Sequence, residues 1–354
     1  MSNPPDAFAE TIRAAAAGGR RLRLRGGGTK DFYGQSLDGE ALDLRACAGI
    51  VAYDPTELVI TARCGTPLAE IEVVLAERRQ MLAFEPPRFG DGATIGGVVA
   101  AGLSGPRRAA AGAVRDFVLG VRIMDGRGDE LEFGGRVMKN VAGYDVSRLM
   151  AGSLGTLGIL LEVSLKVLPV PVAEATLKLE LPEGRAIDMM NAWAGKPLPI
   201  SATAYTDGDL GVRLSGAAAA VREARAKLGG ELVDAGRASS FWAGVREQTD
   251  PFFQGDEPLW RLAVPSATPP LALGGRELVE WSGGLRWLKS GADARAIRDC
   301  ASRAGGHATL FRGGDKAVGV FQPLAPAIAT IHRRLKAEFD PHGVFNRGRL
   351  YADL

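Results

Sequence analysis

The strongest constraint on this chain is where its glycines fall: sixteen lie among the 69 residues 90–158, about 23% of that stretch, against roughly 7% in an average protein. Glycine reaches backbone angles closed to other residues and leaves no Cβ in the way of a close neighbour. Such density predicts several tight loops gathered around a ligand. Over the full 354 residues glycine accounts for 47, with no collagen-like period. The 43 basic and 41 acidic side chains leave a formal charge of +2, too small for the broad basic field that holds a nucleic-acid backbone. Three cysteines, Cys47, Cys64 and Cys300, form no CxxC pair; they predict buried thiols in a reducing cytoplasm, not a disulfide framework, zinc site or iron-sulfur centre. No basic segment followed by an apolar run opens the chain, and the uncharged residues near 317–332 include Pro323 and Pro326. A secretory signal or a membrane-spanning helix is therefore not expected.

Periodicity orders the rest. Arg21, Leu22, Arg23, Leu24 and Arg25 alternate as a half-buried strand and run directly into Gly26, Gly27 and Gly28. A short strand at 58–62 precedes Thr66 and Pro67, expected as the cap and first turn of a helix whose apolar face is Leu68, Ile71, Val74 and Leu75. Strands are predicted at 117–123 and 130–133, and the clearest one carries Leu161, Val163, Leu165 and Val167 on one face, ending at Pro169 and Pro171. That proline pair marks a domain boundary, giving 1–170 and 171–354. Beyond it, elements at 177–181, 186–193, 201–205, 210–214, 217–228 and 231–234 follow the order β-α-β-β-α-β, a ferredoxin-like pattern. Further strands are predicted near 259–264, 278–281, 285–289 and 308–312, and a last helix at 325–339 stops before Pro341. The fold class is α+β.

Three loops can carry chemistry. Arg25, Gly26, Gly27, Gly28, Thr29 and Lys30 can turn successive N–H groups toward an anion such as a pyrophosphate; the same triplet can also be a tight turn after an edge strand. Its spacing matches neither a Walker loop nor GxGxxG. In the second, Thr94, Gly96, Gly97, Gly102 and Ser104 lie among alanines, which suits a large flat ligand or close packing of a helix on a sheet. The third holds Gly152, Ser153, Gly155, Thr156, Gly158 and Ile159 just before the clearest strand.

In this order the loops resemble those of vanillyl-alcohol-oxidase flavoproteins with a PCMH-type FAD-binding domain. The segments Val137-Met138-Lys139-Asn140-Val141-Ala142-Gly143-Tyr144-Asp145 and Phe339-Asp340-Pro341-His342-Gly343-Val344-Phe345-Asn346-Arg347-Gly348 make the chain similar to the FAD-binding subunits of bacterial glycolate-oxidising enzymes. The resemblance implies a two-subdomain PCMH-type FAD-binding domain followed by a ferredoxin-like cap over the flavin ring. It implies that the first loop holds the pyrophosphate, the second the ribityl path and the third the adenine side. Lys139, Asn140, Gly143 and Tyr144 would stand near the ring, with Asn346 closing the far end. It further implies oxidation of a small 2-hydroxy acid, glycolate, to glyoxylate by a complex with a larger FAD-containing subunit and an iron-sulfur subunit, peripheral to the inner face of the bacterial membrane. The covalently flavinylated relatives have a histidine in the first loop; Thr29 and Lys30 stand there, and no cysteine stands in the second, so noncovalent FAD is expected.

The metal-positioning histidine signature of catalytic relatives is reduced to His307 between Gly306 and Asp315, and His332 and His342 lack ligand spacing. His307 is a candidate catalytic group or an ordinary polar side chain, and the catalytic residues stay unassigned. Two other functions are open on the sequence: an assembly subunit whose FAD is structural, and an independent oxidase of a sugar alcohol or lactone in which Arg107, Arg108, Arg115 or Arg312 binds an anionic substrate.

Overall fold

A computed structural model describes residues 4–135 and 144–354. Its first sheet is antiparallel and five-stranded, in the order Ile50–Asp54, Val59–Arg63, Ile159–Lys166, Val118–Met124, Glu130–Gly134. The helix Leu68–Glu77 turns Leu68, Ile71 and Leu75 onto one face of it, and the helix Ile95–Ala101 adds Ile95, Val98 and Val99 to the same core. The other face is covered by Phe8, Ile12 and Ala15 of the helix Pro4–Ala17 together with Leu22, Val344 and Phe345.

Two local expectations are corrected. Leu161 leaves the face shared by Val163 and Leu165 and joins the opposite core, because the ladder with Val118–Met124 shifts register between Arg122 and Ile123. A bulge of this kind inserts one unpaired residue and re-aims its side chain. Thr66 does not cap its helix. Its hydroxyl donates to Arg63 O at 2.6 Å and accepts from Gly49 N at 2.8 Å, and Pro67 takes the cap position.

The second sheet has eight antiparallel strands, in the order Glu231–Leu232, Ala173–Glu180, Asp209–Gly216, Ile200–Thr206, Arg276–Glu280, Leu285–Lys289, Leu259–Ala263, His307–Arg312. The first four, with the helices Glu183–Ala194 and Ala218–Leu228, form the ferredoxin-like unit, in the spatial order 4-1-3-2. One face packs Leu177, Leu210, Val212 and Leu214 against Ala186, Ile187 and Met190. The other meets the glycine-rich loops in a separate core, where Tyr33, Ala101, Leu103 and Leu154 lie against Trp281, Trp287 and Phe311. The chain's end returns to the first sheet: Phe339 joins its main core, and Leu22 pairs with Phe345 in parallel.

Candidate cofactor cradle

The strand Leu22–Arg25 pairs in parallel with Glu40–Asp43 and delivers the first glycine loop to the second. A Cβ on Gly27 would collide with the carbonyl of Gly92, and one on Gly26 with the Thr94 hydroxyl. Gly28 adopts φ +75°, in the left-handed region. Gly26 and Gly27 can therefore meet the second loop only without side chains of their own. Thr94 accepts the N–H of Gly97 at 3.2 Å and starts the helix Ile95–Ala101; Gly102 ends it at φ +67°. The stretch is thus a loop joined to a short helix, and Gly96 is required because a Cβ there would strike Cys64, whose Cβ would lie 2.6 Å away.

Between these loops lies a cavity of about 290 Å³ whose lining includes Arg23, Arg25, Gly26, Gly27, Gly28, Thr29, Lys30, Asp31, Thr94, Gly97, Leu154, Lys316, Asn346 and Arg349. A smaller chamber of about 80 Å³ adjoins it, sharing Gly26, Thr94, Gly97, Leu154 and Asn346 and adding Gly96, Gly155, Gly158 and the apolar Leu44, Cys64 and Leu160. Asn346 ties the walls together. Its Oδ1 accepts the N–H of Leu24 at 2.8 Å and its Nδ2 donates to Leu154 O at 2.6 Å, from a backbone held at φ +39°.

The charge of the lining is predominantly positive. Arg25 is paired with Asp31 at 2.9 Å. Lys30 donates to Arg88 O at 3.1 Å, and burial pulls its ammonium down to about 8 against the opposing attraction of Glu247. Lys316 donates to the carbonyls of Phe32 and Gly34, each at 2.8 Å, and Arg349 to Asp31 O at 2.9 Å. Burial, and then the proximity of Arg349, lowers Lys316 as well. Cations held at the cost of desolvation beside bare glycine backbone are what a diphosphate offsets. The apolar chamber beyond suits an uncharged ring system. The residues present fit FAD.

Not every sequence candidate lines these cavities. Gly102 packs on the backbone of Gly152, whose N–H donates to Val99 O at 3.0 Å. The Ser104 hydroxyl accepts the N–H of Val114 at 3.0 Å. Ser153 and Thr156 are buried in a turn closed by the Thr156 hydroxyl on Ser153 O at 2.8 Å, and Ile159 is wholly enclosed in the core with Leu22 and Phe345. These six shape the loops from behind. Tyr144 is 95% exposed, and Lys139, Asn140 and Gly143 lie outside the described residues. Sequence reasoning missed Arg23, Lys316 and Arg349, whose signal is cationic charge next to a glycine loop or the chain's end, and Asp31, whose signal is an acid just past the glycine triplet and facing Arg25.

The arginines divide as well. Arg107 is buried between Glu85 and Glu174, at 3.3 and 3.0 Å, as an internal ion pair. Arg108 lies on Trp281 at 4.3 Å, Arg115 is exposed, and Arg312 stacks on Phe32 at 4.6 Å. His307 is exposed at the start of its strand, its proton affinity lowered by desolvation and then by Arg261. Among the described residues no group of three or more His, Cys, Asp or Glu could hold a metal ion.

Residues 4–134 match the family model described as FAD binding domain. The chain is 50% identical over 348 residues to glycolate oxidase subunit GlcE of Escherichia coli, covering 98% of this chain and 97% of that protein. It is 35% identical over 129 residues to glycolate oxidase subunit GlcD of Bacillus subtilis, spanning 36% of this chain and 27% of that one. A D-2-hydroxyglutarate dehydrogenase of Xanthomonas citri shares 31% over 178 residues, 50% and 36% of the two chains. Among solved structures, an alkyldihydroxyacetonephosphate synthase superposes with TM-score 0.68 at 15% identity, covering 96% of this chain and 75% of that one, which speaks for the fold alone. With half its residues shared along almost the full length of both chains, and an FAD binding domain over its glycine cradle, this protein belongs to the GlcE family of FAD-binding glycolate oxidase subunits.

Proposed function

We propose that this chain is the flavin-bearing subunit of a complex that oxidises glycolate to glyoxylate, and that it relays electrons within that complex. The observation that supports this most is a cradle whose glycines admit no side chain, in a chain that matches a glycolate oxidase subunit over 98% of its length. Bound FAD supplies an acceptor that takes two electrons and can release them singly. The chain's own residues bind and orient it. The N–H groups around Gly26, Gly27 and Gly28 face the diphosphate, and Lys30 balances its charge. Asn346 fixes the distance between the first loop and Leu154. Tyr33, Trp281, Trp287 and Phe311 keep water from the space between the sheets.

The division of labour follows the sheets: residues 1–170 form the cofactor-binding domain and 171–354 the cap, whose last segment returns to brace the cradle. The partners are a larger FAD-containing subunit, where glycolate loses its hydride equivalent and hydroxyl proton, and an iron-sulfur subunit. No helix of the described residues is long and apolar enough to cross a membrane; attachment to the inner face of the bacterial membrane, through those partners, is part of the proposal.

The test is to purify the complex from native cells and follow this chain's flavin absorbance as glycolate is added. The expected result is co-purification with both partners and bleaching of this flavin at the rate of turnover. A flavin that stays oxidised throughout turnover makes the subunit structural only. A solitary chain with full glycolate activity overturns the subunit assignment.

A further inference from the structure

Where the loop at Arg88, Phe89, Gly90 and Asp91 meets the second sheet, an opening of about 570 Å³ lies outside the cradle and shares no lining residue with the cofactor cavities. Two rings line it, Phe89 half-buried and Phe253 buried, and its mouth is wide, with Gly90, Asp91, Thr249 and Gln254 exposed around it. Phe89 joins it to the cradle. Lys30, which lines the cradle, lies over the Phe89 ring at 5.6 Å, and Arg312, which lines the opening, lies over the same ring at 5.5 Å. The ring is held in place by a backbone at φ +53°, in the left-handed region, whose N–H donates to Glu247 at 3.0 Å.

The charges at this opening do not all find partners within the chain. Arg88 is ion-paired with Glu72, and Arg246 with Glu247 at 2.8 Å; the other oxygen of Glu247 accepts the N–H groups of Arg88 and Phe89. Arg312 is left over. Its guanidinium stacks on Phe32, Phe89 and Phe311, with centroids at 4.6, 5.5 and 5.9 Å, and among the described residues it has neither an acidic partner nor a hydrogen bond. None of its nitrogens is a fully buried atom without a partner, so its N–H edge stays within reach from outside. Asp91, exposed at the rim, has no ion-pair partner among the described residues either. Stacking on the rings satisfies the face of the guanidinium and leaves its edge for a carboxylate.

We propose that this opening seats a segment of the larger FAD-containing subunit, with a carboxylate of that segment on Arg312 and a basic side chain on Asp91. A small anion on Arg312 would leave the ring of Phe89 and Asp91 uncovered; a chain segment covers both. A carboxylate meets the guanidinium edge through two parallel hydrogen bonds, and opposite charges at two points fix the register of an interface. The occupant follows from the proposed function, on which this inference rests. Electrons reach this chain from the subunit that oxidises glycolate, and a segment seated on Phe89 brings that subunit against the cradle wall at Lys30.

The test uses the intact complex. A photoactivatable benzophenone amino acid in place of Thr249, at the mouth of the opening, should crosslink to the larger subunit, in a peptide that contains Asp or Glu. Co-expressed with an equal amount of the parent chain, Arg312→Gln should take at most about one place in ten in the purified complex, counted by mass spectrometry. Arg312→Lys should recover part of that loss, and Asp91→Asn should cost less than about fivefold. Flavin content and thermal unfolding of each isolated variant show that it is folded, and Arg312→Lys keeps the comparison at equal charge. A complex that assembles but crosslinks from position 249 only to the iron-sulfur subunit, or to nothing, overturns this docking site and leaves the subunit reading intact. An Arg312→Gln chain that fills half the places overturns it as well. A chain that assembles with neither partner overturns both readings, whereas a crosslink to the larger subunit beside a flavin that stays oxidised supports the docking site and rejects electron relay alone.

Discussion

Lys336 donates to Asp340 Oδ2 at 2.7 Å inside the protein, and the same ammonium donates to the carbonyls of Thr156 and Phe345, each at 2.7 Å. Asp340 in turn accepts the N–H groups of Val344 and Phe345 at 2.9 and 2.8 Å. The pair thereby fastens the turn that carries Asn346 to the third glycine loop. Removing one member of a buried pair strands the other, at about 3–5 kcal/mol. Asp340→Ala is expected to lower unfolding free energy by roughly that amount in urea denaturation, and to weaken FAD binding because Asn346 loses its support. Equal FAD affinity in the variant and the parent would show that the clasp serves stability only.

The closest backbone approach in the cradle gives a sharper expectation. A methyl group on Gly27 cannot coexist with the Gly92 carbonyl, so the two loops must part. Gly27→Ala should therefore lose FAD affinity by about two orders of magnitude, or roughly 2.7 kcal/mol, measured by flavin fluorescence quenching. Gly195→Ala is the control. It ends the helix Glu183–Ala194 at φ −85° with open space around it, and its effect should stay within about 0.5 kcal/mol.

These residues also show what a sequence discloses. Leu68, Ile71 and Leu75, or Leu210, Val212 and Leu214, repeat at the period of one element, and such local patterns reach the page before any coordinates. The helix Ile95–Ala101 is concealed by Gly96 and Gly97, poor helix formers placed there for contact with Cys64 and Thr94. The helix Ala235–Glu247 is similarly masked by Gly236 and Gly244, although Asp234 caps it by accepting from Gly236 and Arg237. In the cradle the glycines are legible and the clasps are not. Asn346 meets Leu24 and Leu154, Lys316 meets Phe32 and Gly34, and no periodicity encodes pairings across hundreds of residues. Resemblance alone pointed to Asn346.

Lys30 makes cofactor binding depend on pH. Its ammonium titrates at about 8 in the free chain, and a diphosphate beside it favours the charged form. Binding then takes up a proton, and affinity falls by up to about tenfold per pH unit above pH 8. Lys30→Arg should flatten the profile and keep tight binding, whereas Lys30→Met should flatten it at weaker affinity. Stability of the flavin-free chain runs the other way. Between about pH 8 and the ordinary lysine value of 10.5 the unfolded chain binds more protons than the folded one, so this group's share of stability rises with pH. Fluorescence titration from pH 7 to 10 measures the first effect; parallel slopes for the parent and Lys30→Met would remove Lys30 from the diphosphate's surroundings.

Glu280 sits in the sheet face turned toward the glycine loops, 3% exposed, with Oε1 accepting the indole N–H of Trp287 at 2.7 Å and Oε2 without a partner. Burial pushes its carboxyl up to about 7, outweighing the hydrogen bond from Trp287 and the attraction of Arg261. A raised carboxyl binds its proton more tightly when folded, so its contribution is fully present below the ordinary glutamate value of 4.5 and is lost as pH climbs through about 7. Glutamine keeps an acceptor for Trp287 and never ionises. Glu280→Gln should therefore match the parent near pH 5 in urea denaturation and exceed it at pH 8 by roughly 1–3 kcal/mol. A variant less stable than the parent at pH 8 would mean that the ionised carboxylate is held by Arg261 more strongly than burial opposes it, and that Glu280 is charged in the working protein.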